Sequence, residues 1–198
     1  MNELIEPLCY HDAMAKAMTG SFYLNETITV PVATLSGERI QGTLDLSAYV
    51  NVPTGQAIAI DEVDFIWQVG ADFSGMASQI AAGDISLNAQ LTDLNPNTAF
   101  VRADNQSLIA SQHIDVDQGN NQTTESQDLY PDNFGPSGLS DMFICVNDQM
   151  YLVAGTDGQA APGTAVVLNL TVRARCRVVK LSTKDWMAVA IQSTAADN

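Results

Sequence analysis

The chain has 198 residues, 46% of them apolar, which is enough to bury the core of a large all-β domain and excludes a disordered chain. Only 16% of residues are charged, against about a quarter in an ordinary soluble domain. Eight Lys plus Arg stand against 23 Asp plus Glu, a net charge of -15 that repels phosphate backbones. There is no basic arm at either end, so sequence-specific nucleic-acid binding is excluded as the main task.

Ser, Thr, Asn and Gln take the place of charges. Neutral polar groups cost less to desolvate than ions, so such a surface suits contact with other protein surfaces, although a bland solvated surface has the same composition. Cys9, Cys145 and Cys176 are far apart and form no CxxC pair, which reads as structural thiols rather than a disulfide framework. The start, MNELIEPLCYHDAMAKAM, lacks a charged region followed by an apolar run, and no stretch reaches membrane-spanning length. Synthesis in a cytoplasm follows, and the sequons at Asn25, Asn105, Asn121 and Asn169 are then chance matches.

In chain order, residues Cys9 to Met18, rich in Ala and Met and stopped by Gly20, predict a short helix within an N-terminal extension over 1–26. Period-two alternation begins at Ile28, Val30 and Val32, with Pro31 marking an edge strand. Ser36-Gly37 turns the chain, and Ile40, Gly42, Leu44 and Leu46 continue the alternation. After the turn at Asn51 to Gly55, Ile58 and Ile60 share a face, and then the phase slips at Asp61-Glu62. Val63, Phe65, Trp67 and Val69 carry on at odd positions as core residues. A one-residue slip is what a β-bulge produces; two separate strands would also give it.

Residues 71–83 read as a loop with a helical turn, and Ile85, Leu87, Ala89 and Leu91 as a strand. Leu108 to Val116 is another strand, leading into a long irregular region from Asp117 to Gly138. A loop of that length is functional or an assembly surface. Met142 to Val146 and Gln149 to Ala154 flank Asn147-Asp148 as a hairpin. Val166, Leu168, Leu170, Val172, Ala174, Cys176 and Val178 form the longest apolar face, and Ser182 or Thr183 caps a helix running through Ile191. The segment 182–198 is that helix and a tail. Eight or nine strands with almost no helix make one all-β domain over 1–198, an antiparallel β-sandwich or a barrel.

Chemistry-bearing motifs are sparse. His11 and His113 lack metal-ligand spacing, and there is no HExxH, G-x-S-x-G or P-loop. Pairs such as Asp61 with Asp64 arise by chance in so acidic a chain. The sequence predicts no enzyme and no cofactor. One exception is a candidate calcium loop: Asp115 and Asp117, followed by Gly119 and Glu125, offer alternating oxygens around a turn. Gly119 comes one position early, however, and Ser126 stands where a bidentate Glu belongs, so a solvated loop is the alternative. The second candidate is Arg173, Arg175 and Arg177, which alternate with the apolar face and so project from one side of the sheet. They read as a solvated face, or as a contact with acidic groups of a neighbouring subunit.

Thr43 to Val69 (TLDLSAYVNVPTGQAIAIDEVDFIWQV) and Val166 to Trp186 (VVLNLTVRARCRVVKLSTKDW) resemble two early strands and the long closing strand of single jelly-roll major capsid proteins of icosahedral viruses. The resemblance implies a jelly-roll sandwich with short N- and C-terminal helices, assembling with copies of itself in a virion, with other virion proteins as further partners. That family has no catalytic residues to carry over. Many small-virus members carry an Arg-rich N-terminal arm that binds the genome, and this sequence lacks one. A phage tail or baseplate component and a cell-surface filament subunit are the competing classes. A carbohydrate-binding module would need an exposed aromatic platform that 7% aromatics do not favour.

Overall fold

One of two 14-residue strands organises the molecule. In the computed structural model, which describes residues 15–70, 79–127, 142–160 and 163–195, this is β10 (Leu168–Leu181), whose alternate side chains from Leu168 to Val178 are all buried. Both of its edges are paired. On one side lie β1 (Ala15–Ala17) and β2 (Phe22–Val30), end to end, and on the other β4 (Gln56–Val69) in a register running from Leu168↔Val69 to Lys180↔Gln56. The short β8 (Phe143–Cys145) completes this sheet beside β4. The second sheet runs β3 (Arg39–Asp45), β9 (Gln149–Asp157), β5 (Ile85–Thr92), β6 (Leu108–Asp117), β7 (Gln122–Gln127), all antiparallel.

Successive strands pass from one sheet to the other: β2 to β3, β3 to β4, β4 to β5, then β7 to β8, β8 to β9 and β9 to β10. The result is a strand order β2-β10-β4-β8 facing β3-β9-β5-β6, the jelly-roll winding, with β1 and β7 added at the edges. The core is the interface between the sheets. Ile28, Val30, Ile58, Ile60, Val63, Phe65, Leu170 and Val172 meet Leu44, Leu87, Leu91, Met150 and Leu152. Apolar alternation in the sequence translates directly into this face.

The phase slip is a bulge inside one strand. Ile60 pairs with Cys176 and Glu62 with Arg175, so Asp61 is the extra residue and β4 stays continuous. Phe65 is 4% exposed, as its phase requires. Trp67 packs against the same cluster but is half-buried, because it lies two residues from the end of β4 where the sandwich opens. Gly55 closes the turn before β4 in the left-handed region (φ +70°); a Cβ there would lie 2.5 Å from the Leu181 carbonyl oxygen.

A second, smaller apolar cluster lies on the outer face of the β10 sheet. The helix α1 (Thr183–Ala195) covers Ala57, Ala59, Ile144, Val146, Val179 and Leu181 with Trp186, Val189 and Ala190. Ser182 caps it: its Oγ accepts from the Asp185 N–H at 3.2 Å and donates to the Asp185 carboxylate at 2.6 Å. The far end is fastened through Asp93, which is 2% exposed. Ser193 Oγ donates to Asp93 Oδ2 at 2.7 Å, and Asn147 Nδ2 lies 3.0 Å from the Asp93 carbonyl oxygen. Asp93 Oδ1 is buried without a partner.

Four sequence expectations are corrected. Residues 9–14 of the N-terminal helix lie outside the described residues, and Ala15–Ala17 are strand, because pairing with Val179–Leu181 satisfies backbone groups that a short isolated helix leaves marginal. Part of the irregular region, Gln122–Gln127, is β7, an edge strand without an apolar face and so without an alternation signal; residues 128–138 lie outside the described residues. The Asn147-Asp148 turn does not form a hairpin, since β8 and β9 belong to different sheets. The described strands number ten rather than eight or nine.

Two outcomes follow. Phe65→Ala lowers the unfolding free energy by about 3–5 kcal/mol, and Trp67→Ala by less, in urea denaturation; equal costs would contradict the graded burial. Burial raises the Asp93 carboxyl from 3.8 to about 6, against the opposing bond from Ser193. The folded state therefore binds this proton more tightly than the unfolded chain does. The associated stability is present below pH 3.8 and lost as pH rises through about 6, on the order of 3 kcal/mol in full. The native chain should lose stability relative to Asp93→Asn as pH rises across that window, and a difference flat in pH would contradict it.

Candidate functional site

The bulge gives the arginine row its partners. Extended backbone sends neighbouring residues to opposite faces, but the extra residue at Asp61 lets two consecutive carboxylates reach the outer face together. Arg175 Nη1 lies 3.1 Å from Glu62 Oε2, and Arg177 Nη2 lies 3.1 Å from Asp61 Oδ1. Arg177 also approaches Met142 Sδ at 3.3 Å. Arg173 is different. Its guanidinium lies 4.8 Å above the ring centre of Tyr23, an exposed side chain, and it makes no ion pair with a described residue. All three arginines project from the outer face of the β10 sheet, as their alternation requires, but two are neutralised within the chain.

Above the arginines this face becomes neutral. The hydroxyls of Thr27 and Thr171 lie 2.9 Å apart, Thr29 Oγ1 donates to Asn169 Oδ1 at 2.9 Å, and Ile66 is exposed beside them. The face thus presents a polar, sparsely charged surface across three strands, of the kind that desolvates at low cost.

The outer face of the opposite sheet carries a longer network. Arg39 pairs with Asp157 at 2.7 Å and lies 4.4 Å over the Phe100 ring centre. Asn88 Nδ2 donates to the same Asp157 oxygen at 2.9 Å, and the Asn88 amide oxygen meets the His113 ring. His113 Nε2 reaches Asp115 at 2.8 Å, which accepts from Ser86 Oγ at 2.9 Å. A shallow depression of about 200 Å³ lies beside this network, lined by Asn88, Gln90, Phe100, His113 and Ser126. Both ring nitrogens of His113 are engaged there, by Asn88 and Asp115, and Gln90 is bonded to the Val101 backbone. Nothing in the sequence signals this network, because Arg39 and Asp157 are 118 positions apart.

The three candidate calcium ligands do not converge. Asp115 and Asp117 share the outer face of β6, whereas Glu125 pairs in register with Ile114 and so sits on the other face of the sheet. There it accepts from Gln112 Nε2 at 2.7 Å. Asp115 is held below the ordinary carboxylate range chiefly by Ser86, and Asp117 by Asn120. No group of three or more His, Cys, Asp and Glu side chains among the described residues could hold a metal ion. Asp61 and Asp64 do not act as a pair: Asp61 faces Arg177, while Asp64 stands opposite Arg173 in the register. Cys145 and Cys176 are free and buried. Burial pushes the Cys176 thiol up to about 12 and raises Cys145 also, so both are inert hydrophobes. His11 and Cys9 lie outside the described residues. No helix among those residues is long and apolar enough to cross a membrane.

The class the fold defines is an antiparallel jelly-roll sandwich. No family model and no curated protein matches the chain. Among solved structures it is similar to Merkel cell polyomavirus VP1 in complex with 3'-sialyllactosamine, with 10% identity over 83% of this chain and 99% of that one and a TM-score of 0.38. It is also similar to a chain of desmodium yellow mottle tymovirus (7% identity, 80% of this chain and 90% of that one, TM-score 0.30). A third is a chain of the nora virus structure (9% identity, 85% and 59%, TM-score 0.33). At these values the likenesses carry no argument about function, and the fold rests on the strand order.

The paired and unpaired arginines separate in denaturation. Arg175→Gln and Arg177→Gln each cost about 0.5–1 kcal/mol at low salt, less in 1 M salt, where the Debye length falls to about 3 Å. Arg173→Gln changes stability by less than about 0.5 kcal/mol. Equal costs for all three would show that Arg173 is held within the subunit too.

Proposed function

We propose that this chain is a structural subunit that assembles with copies of itself into a closed shell, the major capsid protein of an icosahedral virus, and that it performs no catalysis. The observation that carries the reading is the winding β2-β10-β4-β8 over β3-β9-β5-β6, an architecture that recurs in viral capsids, lectins and cupins. Two features favour the first of these uses. A cupin gathers metal ligands, and the described residues offer no such group. A lectin reads sugars on an open aromatic platform, whereas Phe100 is occupied by Arg39. The outer face of the β10 sheet supports a contact role: Tyr23 carries Arg173 at an exposed position, and aromatic and Arg side chains are favoured at interfaces. On this reading the protein resides in the virion. Its partners are its own copies together with other virion proteins, and nucleic acid is not read by sequence.

On this reading residues 1–198 belong to a single jelly-roll unit, with the residues before β2 as an extension, shorter than the expected 1–26 because β2 begins at Phe22, and 182–198 as helix and tail. Light scattering and sedimentation velocity across a concentration and salt series test the proposal. The native chain should form large, discrete particles, and Arg173→Gln should raise the concentration at which they appear while leaving the monomer's melting temperature unchanged. A monomer under every condition would falsify the shell reading. Association into open filaments instead would favour an appendage subunit.

A further inference from the structure

All three lysines of this acidic chain, Lys16, Lys180 and Lys184, occur at one end of the β10 sheet. Lys16 in β1 stands directly opposite Lys180 in β10, so their side chains leave the same face. Both are exposed, and neither forms an ion pair with a described residue. Like charges placed directly opposite across two strands destabilise the pairing. Lys184 follows four residues later, exposed in the first turn of α1, where the positive end of the helix opposes a cation. Each lysine is thus unfavourably placed in the isolated subunit. The arginines by contrast are mostly satisfied, by Glu62, Asp61 and Asp157.

Apolar side chains lie beside these charges. Met18, 50% exposed, receives a contact at 3.7 Å on its sulfur from Gln56 Nε2, and Gln56 pairs in register with Lys180. Val52, 59% exposed, sits in the turn whose Gly55 carbonyl accepts from the Leu181 N–H at 2.9 Å. Lys16, Lys180, Met18 and Val52 therefore form one cationic, partly apolar end.

We infer that this end docks exposed carboxylates of a second copy of the chain. The occupant follows from charge: with 23 acidic residues against eight basic ones, another copy presents the acidic surface that complements lysines making no ion pair among the described residues. Docking removes the Lys16–Lys180 repulsion and the penalty at the start of α1, and covers Met18 and Val52. The inference rests on the self-assembly reading and places one of its contacts.

The test cross-links the associated native protein with a zero-length carbodiimide, using equal amounts of ordinary and ¹⁵N-labelled chain. Mass spectrometry should find Lys16, Lys180 or Lys184 joined to Asp or Glu in peptides of mixed isotope. The triple variant Lys16→Gln, Lys180→Gln, Lys184→Gln should melt no lower than the native chain and need at least tenfold more protein to associate. A triple Lys→Arg variant should associate as the native chain does. Cross-links confined to one isotope would overturn the inference by showing that the chain's own acids fill the site. So would a triple Gln variant that associates normally, an outcome that leaves the shell reading standing. Loss of binding to a single-stranded oligonucleotide, with association unchanged, would overturn it in favour of a phosphate ligand. A native chain that never associates would overturn both this contact and the shell reading.

Discussion

The pairing of β10 with β4 sets the register from which the sandwich is built. β10 is flanked along most of its length by partners on both sides, β1 and β2 on one and β4 on the other. Its inner face supplies Leu168, Leu170, Val172, Ala174, Cys176 and Val178 to the core. Its outer face carries the arginine row, and its last residues lie beneath α1. A strand used on both faces fixes its neighbours: a register slip of one residue would carry every apolar side chain outward. The bulge at Asp61 reconciles the two demands. It keeps Ile58 and Ile60, and then Val63 and Phe65, in the core while delivering Asp61 and Glu62 to Arg177 and Arg175.

The two outer faces are built differently for that reason. The β10 sheet shows neutral hydroxyl and amide pairs and one arginine on a tyrosine ring. The opposite sheet ties its polar side chains into a chain of contacts from Arg39 to Ser86. The first leaves Arg173 without an ion pair among the described residues; the second pairs its cation and its carboxylates within the chain. A surface that meets another protein uses the first kind, because its groups gain on contact whereas satisfied groups must first be undone. The burial of Asp93 adds a different element, fastening α1 through a carboxylate that is costly to keep ionised.

Where one face is apolar and the other polar, the sequence was a sufficient guide. The alternation in β5 and β10 and the slip at Asp61-Glu62 each translate into position and face, because burial is decided residue by residue. The elements that escaped were those held by partners rather than by pattern. Nothing in Ala15–Ala17 favours a strand until Val179–Leu181 are beside it, and Gln122–Gln127 has no apolar face to reveal it. The hairpin at Asn147-Asp148 failed for a related reason: turn chemistry is local, while the choice of sheet is made by distant β4, β3 and β5. Of the candidate site residues, the arginine row was legible as a face but not as two internal pairs and one open cation. The separation of Asp115 and Asp117 from Glu125 depended on a strand that the pattern concealed.

Electron microscopy of the purified chain at high concentration separates shell assembly from its alternatives. The proposed self-assembling jelly-roll subunit should give closed particles of uniform diameter, whose images resolve the two sheets of each subunit in a repeating lattice. Fields of dispersed monomers, or open filaments of one width at every concentration and salt, would contradict it.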